Sequence, residues 1–350
     1  MAIPYRTRRA FKHILTVLLA LALVAVFVLM CWLLWLDRFI VYTKDGAFLD
    51  FSQDNKLLSG QVAAPTDPKP TVPIHYGDDD VAVTTELKQM IGYYITEADL
   101  SAPQNSRNPQ DDSAKKIDEL IAKIRKLPAG TPVKLEVKSI KGQFFYSSTV
   151  SAQRSSRINT EKADELISVI SQQNLYLIAE LPAFRDYYFG LNNVPYGLHH
   201  SSGRYLWMDD AGCYWLNPAS AGTITFLAQI LTELKGLGFD EAVFSDFRFP
   251  ETTNILFKED KAAAIENAVK TLLTACANDS FAVSFIGTAS FPLPQGRTRL
   301  YIKDVAAANC EAVAQQTKLE TPEISLVFIA ESHDTRYEKY SVLRPLDTLN

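Results

Sequence analysis

The apolar positions of the chain form one long run near the N-terminus, followed by shorter runs that alternate with helical patterns. Residues 14–36 carry no charge, and about 20 apolar residues are enough to span a bilayer as a helix. Basic residues precede this run, namely Arg6, Arg8, Arg9 and Lys12. The positive-inside rule therefore predicts a cytoplasmic tail over residues 1–13, a transmembrane helix over 14–36 and an extracytoplasmic remainder.

The segment after this run reads as a connection to a folded domain. Residues 37–50 are typical of a strand region with a turn at Asp45-Gly46, and residues 59–80 are rich in proline and poor in large apolar residues. Such composition is typical of an extended linker. Residues 37–80 are thus predicted to form a short strand region and linker, with the main domain at 81–350.

From residue 81 onward, apolar strand-like segments alternate with amphipathic helices. Predicted strands include QMIGYYIT, PVKLEVKSI, LYLIAELP, EAVFSDFRF, FAVSFIG, TRLYIKDV and EISLVFIAES. Strands that are apolar throughout are buried on both faces, as in parallel sheets. A domain of about 270 residues suits an α/β fold of the (β/α)8 TIM-barrel type, regular or irregular. An open doubly wound sheet remains compatible with the pattern, although no glycine-rich nucleotide motif follows the first strand.

Composition narrows the range of ligands. The net charge is -5 and the isoelectric point is near 5.6, so there is no basic footprint and no nucleic-acid partner is predicted. The cysteines, at positions 31, 213, 276 and 310, lack the spacing of a zinc site. We therefore predict no cofactor and no metal.

Charged residues recur where the predicted strands end, which is where barrel enzymes place catalytic groups. Glu180 ends LYLIAE, Asp246 ends EAVFSD and Glu331 ends ISLVFIAE. Glycoside hydrolysis uses two carboxylates, one protonated as the acid and one ionised as base or nucleophile. We expect Glu180 or Glu331 to be the acid and Asp246 the ionised carboxylate.

Other polar and aromatic residues near these ends are candidates for binding substrate. We expect these residues to bind sugar hydroxyls, to hold the catalytic carboxylate ionised or to stack on sugar faces. They are Glu136, Lys138, Arg185, Trp207, Asp209, Trp215 and Arg248. For several of them a structural ion pair or turn is an equally simple interpretation.

The stretch GFDEAVFSDFRFP, residues 238–250, resembles the signature of a bacterial glycoside-hydrolase-like family with a TIM-barrel domain. Three further segments resemble that family in the same order, namely VKLEVKSIKGQFFYSS, LYLIAELPAFRD and RYLWMDDAGCYWLNPAS. The family usually has an aspartate three residues before the arginine of RFP. Here that position is Ser245, and the acid follows at Asp246. The resemblance implies a barrel and a role in carbohydrate metabolism.

Together these observations predict a glycoside hydrolase of the bacterial cell envelope that acts on a polysaccharide or oligosaccharide. The protein would be anchored in the cell membrane by a single N-terminal helix. A non-catalytic glycan-binding or scaffold barrel is the alternative that Ser245 favours. A metal-dependent hydrolase is a third class, because histidines such as His199 and His333 are present.

Overall fold

The computed structural model describes residues 40–43, 46–49, 87–278 and 280–348. The first part is an antiparallel hairpin of strand β1, Ile40–Thr43, and strand β2, Gly46–Leu49. The predicted transmembrane helix and most of the linker lie outside the described residues. Within the part that the structure describes, no helix is long and apolar enough to cross a membrane.

Within residues 87–348, eight parallel strands close into a barrel. In their order around it they are β3 (Ile91–Ile95), β4 (Pro132–Glu136), β5 (Tyr176–Pro182), β7 (Glu241–Ser245), β9 (Ala282–Ile286), β10 (Leu300–Lys303), β11 (Leu326–Ile329) and β12 (Ser341–Pro345). The remaining strands, β6 (His199–His200) and β8 (Ile255–Leu256), pair with each other in the loops. The predicted TIM-barrel architecture is confirmed.

Helices lie between most of the barrel strands. They are α1 (Glu97–Leu100), α2 (Pro109–Ile124), α3 (Thr160–Gln172), α4 (Tyr187–Asn192), α5 (Ala221–Gly236), α6 (Lys261–Cys276), α7 (Cys310–Thr317) and α8 (Pro322–Ser325). Short 3₁₀ helices occupy Val194–Tyr196, Ala307–Asn309, Thr335–Lys339 and Leu346–Thr348. The barrel is irregular, because the segments after β9 and β11 contain no α-helix among the described residues.

The core lies between the outward strand faces and the apolar stripes of the helices. On α2, buried residues recur at helical spacing, at Ile117, Leu120, Ile121 and Ile124. This stripe packs in the same cluster as the outward residues of β4, such as Val133 and Leu135. The period of 3.6 in the helices and of 2 in the strands is what separates the core from the barrel interior.

The sequence pattern did not predict β12. Its segment, SVLRP, is short and contains both a charged residue and a proline. Arg344 is buried at 8% exposure, and its guanidinium Nη2 donates to Glu338 Oε1 at 2.9 Å. Pro345 ends the strand, where its missing N–H does little harm. Pairing with β3 and β11 holds this segment in the barrel in spite of its composition.

The acidic start of β7 forms a polar plug at the amino-terminal end of the barrel. Glu241 is fully buried, and its carboxylate accepts from Arg299 Nη1 at 2.5 Å. The hydroxyls of Tyr176 and Tyr301 each donate to the same carboxylate at 2.9 Å. A buried charge needs such partners. This carboxylate therefore supports the scaffold, at the end opposite to the catalytic face of such barrels.

Candidate active site

Two glutamates lie side by side at the carboxyl-terminal mouth of the barrel. Glu136 ends β4 and Glu180 lies on β5, and the two residues are directly paired in the parallel register. Side chains alternate along a strand, so Lys134 faces the interior together with Glu136. Lys303, at the end of β10, reaches the same point. The mouth therefore contains two carboxylates and two ammonium groups.

The surroundings of Glu180 keep it ionised. Its Oε1 accepts from Lys303 Nζ at 2.6 Å, and its Oε2 accepts from Lys134 Nζ. Burial opposes ionisation, but the two ammonium groups outweigh burial and hold the pKa of this carboxyl below its usual value. A proton donor needs the opposite shift. The environment of Glu180 therefore suits an ionised role rather than that of an acid.

Glu136 has the opposite electrostatic balance. Burial and the negative charge of Glu180 raise its pKa above the usual value. A hydrogen bond of 2.6 Å from the Glu97 backbone N–H to Oε2, together with the two lysines, only partly offsets this. Carboxyl pairs whose pKa values are pushed apart are typical of acid and base assignments in enzymes. Glu136 is therefore suited to donate a proton.

Tyr94 and Glu331 complete this part of the mouth. Lys134 Nζ lies 5.3 Å from the centre of the Tyr94 ring. Burial raises the pKa of the Tyr94 phenol, and the charges of Glu331, Asp99 and Glu136 add to the effect. Glu331 itself is exposed. The structure thus places Glu331 on the rim, close enough to act on Tyr94 electrostatically.

A second cluster is centred on Arg185, which follows β5. Its Nη2 lies 2.7 Å from Asp209 Oδ2, and its Nη1 lies 3.5 Å from Asp246 Oδ2. The indole Nε1 of Trp215 donates to Asp209 Oδ2 at 2.9 Å. The Cys213 backbone N–H donates to Asp209 Oδ1 at 2.9 Å, and together with Trp215 and Arg185 it holds the pKa of Asp209 below its usual value despite burial. The cation beside Asp246 is thus Arg185, whereas Arg248 Nη1 lies 3.6 Å from Glu251 Oε1.

Asp246 reaches this cluster through an unusual backbone conformation. Strand alternation places Ser245 on the inward face with Glu241 and Val243, and the next residue would point outward. Asp246 instead has a φ of 51°, the left-handed region that aspartate tolerates better than most residues. This turn of the chain directs its carboxylate toward Arg185. Asp304, directly after β10, has a φ of 60° and repeats the feature.

Three other predicted binding residues have more enclosed surroundings. Lys138 Nζ lies 2.7 Å from Asp186 Oδ2 in a pair with almost no exposure, so the ammonium is not open to a ligand. The Trp215 ring is 3% exposed, and the guanidinium groups of Arg185 and Arg248 lie 5.7 and 5.4 Å from its centre. Trp207 is partly exposed, 6.4 Å from Trp215 between ring centres.

Neither Lys134 nor Tyr94 stands out as a site residue in the sequence alone. Lys134 is 1% exposed in the middle of an apolar strand, where an unpaired charge would be costly. It also lies two residues before Glu136, on the same face of the strand. That spacing was the available signal, whereas its contact with Glu180 depends on the neighbouring strand. Among the described residues, no group of three or more His, Cys, Asp or Glu side chains could hold a metal ion.

Comparison with known protein families places the chain in a described family. A family model described as "Putative glycosyl hydrolase domain" (DUF4015) matches residues 109–284, half of the chain. The chain belongs to this glycosyl hydrolase domain family. The matched range contains β4, β5 and β7 and the residue that follows β7, and it therefore includes Glu136, Glu180 and Asp246. No curated protein matches the sequence.

Several solved structures have a similar fold. A hypothetical protein from Ruminiclostridium thermocellum is 18% identical, with a TM-score of 0.44, over 55% of this chain and 96% of that chain. The glycoside hydrolase domain of PelA from Pseudomonas aeruginosa is 11% identical, with a TM-score of 0.45, over 75% and 97%. The alpha-galactosidase from Lactobacillus brevis is 11% identical, with a TM-score of 0.47, over 75% of this chain but only 38% of that chain. At these identities each is a likeness of fold alone.

Proposed function

We propose that the protein is a glycoside hydrolase that cleaves a polysaccharide or oligosaccharide at the mouth of its barrel. The observation that carries the proposal is the pair of neighbouring carboxyls, Glu136 and Glu180, whose pKa values are shifted in opposite directions. Membership in the glycosyl hydrolase domain family supports the reaction class. The sequence of residues 1–36 supports anchoring in the cell membrane with the barrel outside the cytoplasm.

Glu136 is the proposed general acid. Its raised pKa keeps it protonated closer to neutral pH, so it can donate to the oxygen of the departing sugar. Glu180 then acts as a positioning residue, because its fixed negative charge raises the pKa of Glu136. With 4% exposure and both oxygens bound by lysines, Glu180 is poorly placed to meet substrate itself.

Asp246 is the proposed ionised carboxylate. Its side chain is 18% exposed, and Arg185 Nη1 lies 3.5 Å from its Oδ2. Strands β4 and β7 flank β5, so Glu136 and Asp246 are not on neighbouring strands, and Glu180 pairs with Val243, three residues before Asp246. Inverting enzymes separate their carboxyls by about 6.5–9.5 Å and retaining enzymes by about 5–5.5 Å. Because Glu136 and Asp246 are offset both across and along the sheet, we propose that they form the wider, inverting arrangement.

A glycan-binding barrel without catalysis is the second candidate. It is favoured by the cations that neutralise two of the carboxylates, since lysines bind Glu180 and Arg185 contacts Asp246. The carboxylates of such a site would accept hydrogen bonds from sugar hydroxyls without cleaving the glycosidic bond. In that case the protein would retain glycans at the cell envelope.

The test is a glycan screen that measures binding and reducing-end release together, with the product anomer followed by NMR. We expect release with inversion, reduced at least about 100-fold in both Glu136→Gln and Asp246→Asn. Sugar release with retained anomeric configuration would contradict the role of Asp246 and would indicate Glu180 as the second catalytic carboxylate beside Glu136. Binding without release would establish the second candidate, and neither binding nor release would contradict both.

A further inference from the structure

One side of the barrel lacks the helix that would follow β9. Residues 287–299 connect β9 to β10 without forming one, whereas a regular barrel places a helix after every strand. The space beside α6 is left as a groove of about 950 Å³. That volume lies within the range of ligand pockets.

The walls of the groove are mainly apolar. Ile265, Val269 and Leu273 line it from α6 at intervals of four residues, so they form one stripe along the helix. Phe291 and Leu293 line the opposite wall from the loop after β9. All of these except Val269 are partly exposed. From Lys261 to Leu273 the helix rises roughly 18 Å, so the groove is long as well as apolar.

Positive charge is concentrated at the end of the groove nearest the candidate active site. Helix α6 follows the carboxyl end of β7, so its first residue, Lys261, lies at the mouth of the barrel. The Lys261 ammonium lies 5.6 Å from the centre of the Phe249 ring. Arg248 lines the same end, and its guanidinium lies 5.4 Å from the ring of Trp215. Arg248 thus lines the groove and also contacts Trp215 of the cluster centred on Arg185.

The other charged groups of the groove do not cancel this charge. Farther along α6 the lining contains Glu266 and Lys270, which balance each other. Glu251 lies 3.6 Å from Arg248, but its side chain is 92% exposed, and such surface pairs are weak. Arg248 and Lys261 are therefore available to an anion that enters from the mouth.

We propose that the groove binds the alkyl chain of a glycolipid whose phosphate lies against Arg248 and Lys261. This inference rests on the proposed function, because it places the sugar of the same molecule at Asp246 and Glu136. The apolar stripe of α6 accounts for the chain, and the two cations account for the phosphate between chain and sugar. The substrate class is then a lipid-linked glycan rather than a free polymer.

The test measures binding of radiolabelled dodecyl phosphate to the full chain by equilibrium dialysis, with the protein held in an amphipathic polymer. Inorganic phosphate and dodecyl maltoside serve as ligands that lack the chain or the anion. We expect dodecyl phosphate to bind at least tenfold more tightly than either. Leu273→Asp should weaken this binding at least tenfold, and Lys261→Glu at least fivefold.

The matched controls lie on the same segment but outside the groove. Ala263→Asp introduces an acid on another face of α6, and Lys258→Glu reverses an exposed charge just before the helix. Both should stay within twofold of the unmodified protein. The proposal is overturned if Leu273→Asp and Lys261→Glu bind like these controls, or if either comparison ligand binds as tightly as dodecyl phosphate. If Leu273→Asp fails to fold, Lys261→Glu decides the matter, because its side chain is exposed.

Failure of this inference can be told apart from failure of the proposed function. Cleavage of a free oligosaccharide, which has no alkyl chain, is therefore measured on the unmodified protein beside the binding of dodecyl phosphate. Normal oligosaccharide cleavage with no dodecyl phosphate binding would contradict the glycolipid alone. Binding of dodecyl phosphate without cleavage of any glycan would contradict the hydrolase alone.

Discussion

At the scale of single residues, identical side chains acquire different chemistry from their neighbours. Glu136 and Glu180 are both glutamates at the end of adjacent strands. Lysines contact both oxygens of Glu180. Glu136 instead accepts a hydrogen bond from the Glu97 backbone N–H and is repelled by the negative charge of Glu180. The residue type shows that acid–base chemistry is possible, and the contacts decide which carboxyl can hold a proton.

Replacing Glu180 should shift the pH dependence of the reaction. Its negative charge raises the pKa of Glu136, and Glu180→Gln also leaves the Lys134 and Lys303 charges without their carboxylate. Both effects lower the pKa of Glu136, so the acid loses its proton at lower pH. The alkaline limb of kcat/KM against pH should move to lower pH. Glu119→Gln, on the exposed face of α2, is the matched control and should leave the pH profile unchanged. If the alkaline limb of Glu180→Gln does not move either, Glu180 has no positioning role.

At the scale of elements, a buried ion pair joins the loops that follow β4 and β5. The buried pair of Lys138 and Asp186 joins them, and Asp186 also caps α4 by accepting the Phe189 N–H at 2.7 Å. Gly142 packs against this carboxylate so closely that a Cβ would lie 2.1 Å from Asp186 Oδ1. A residue with any side chain would have to displace the capping carboxylate.

Gly142→Ala should destabilise the protein more than a matched glycine substitution. Gly142 and Gly130 have similar positive φ values, 84° and 80°, but nothing lies within 4 Å of a Cβ at Gly130. Gly130→Ala should cost about 1–2 kcal/mol from the backbone alone. Gly142→Ala adds a clash of about 1–3 kcal/mol. Urea denaturation followed by circular dichroism would measure both, and equal midpoints would contradict the packing argument.

At the scale of the whole molecule, the barrel has a buried polar cluster at one end and the candidate active site at the other. The buried plug of Glu241 and Arg299 lies at the amino-terminal end. Arg299 also donates through Nη2 to the Lys88 carbonyl at 2.9 Å and through Nε to that of Ile324 at 3.3 Å. Arg299 thereby connects β7 and β10 to the segment before β3 and to α8. The candidate active site lies at the opposite end of the barrel.

Breaking the plug should be costly, because it leaves an uncompensated charge in the interior. Arg299→Met leaves the buried Glu241 carboxylate without its cation. This should lower the free energy of unfolding by about 3–5 kcal/mol. Lys123→Ala breaks the surface pair with Asp347, whose carboxylate side chain is 70% exposed, and should cost less than about 1 kcal/mol. Similar unfolding midpoints for the two variants would show that the plug contributes no more than a surface ion pair.

The sequence by itself determined the alternation of strands and helices, and with it the α/β class, whereas closure of the sheet into a barrel was seen only in the structure. Side-chain period and apolar runs are local properties, so β4, β5 and β7 could be predicted from them. The acids that end these strands could also be selected, since a charge after an apolar run stands out. Strand β12 could not be, because Arg344 and Pro345 obscure its pattern.

Tertiary structure alone decided how these residues work together. The contact of Lys134 and Lys303 with Glu180 joins three strands that are far apart in sequence. The pKa shifts depend on that contact, since charge interactions fall with distance through space and not along the chain. The direction of Asp246 depends on one left-handed φ after β7. A strand pattern assumes regular alternation, so it cannot reveal where the backbone leaves it.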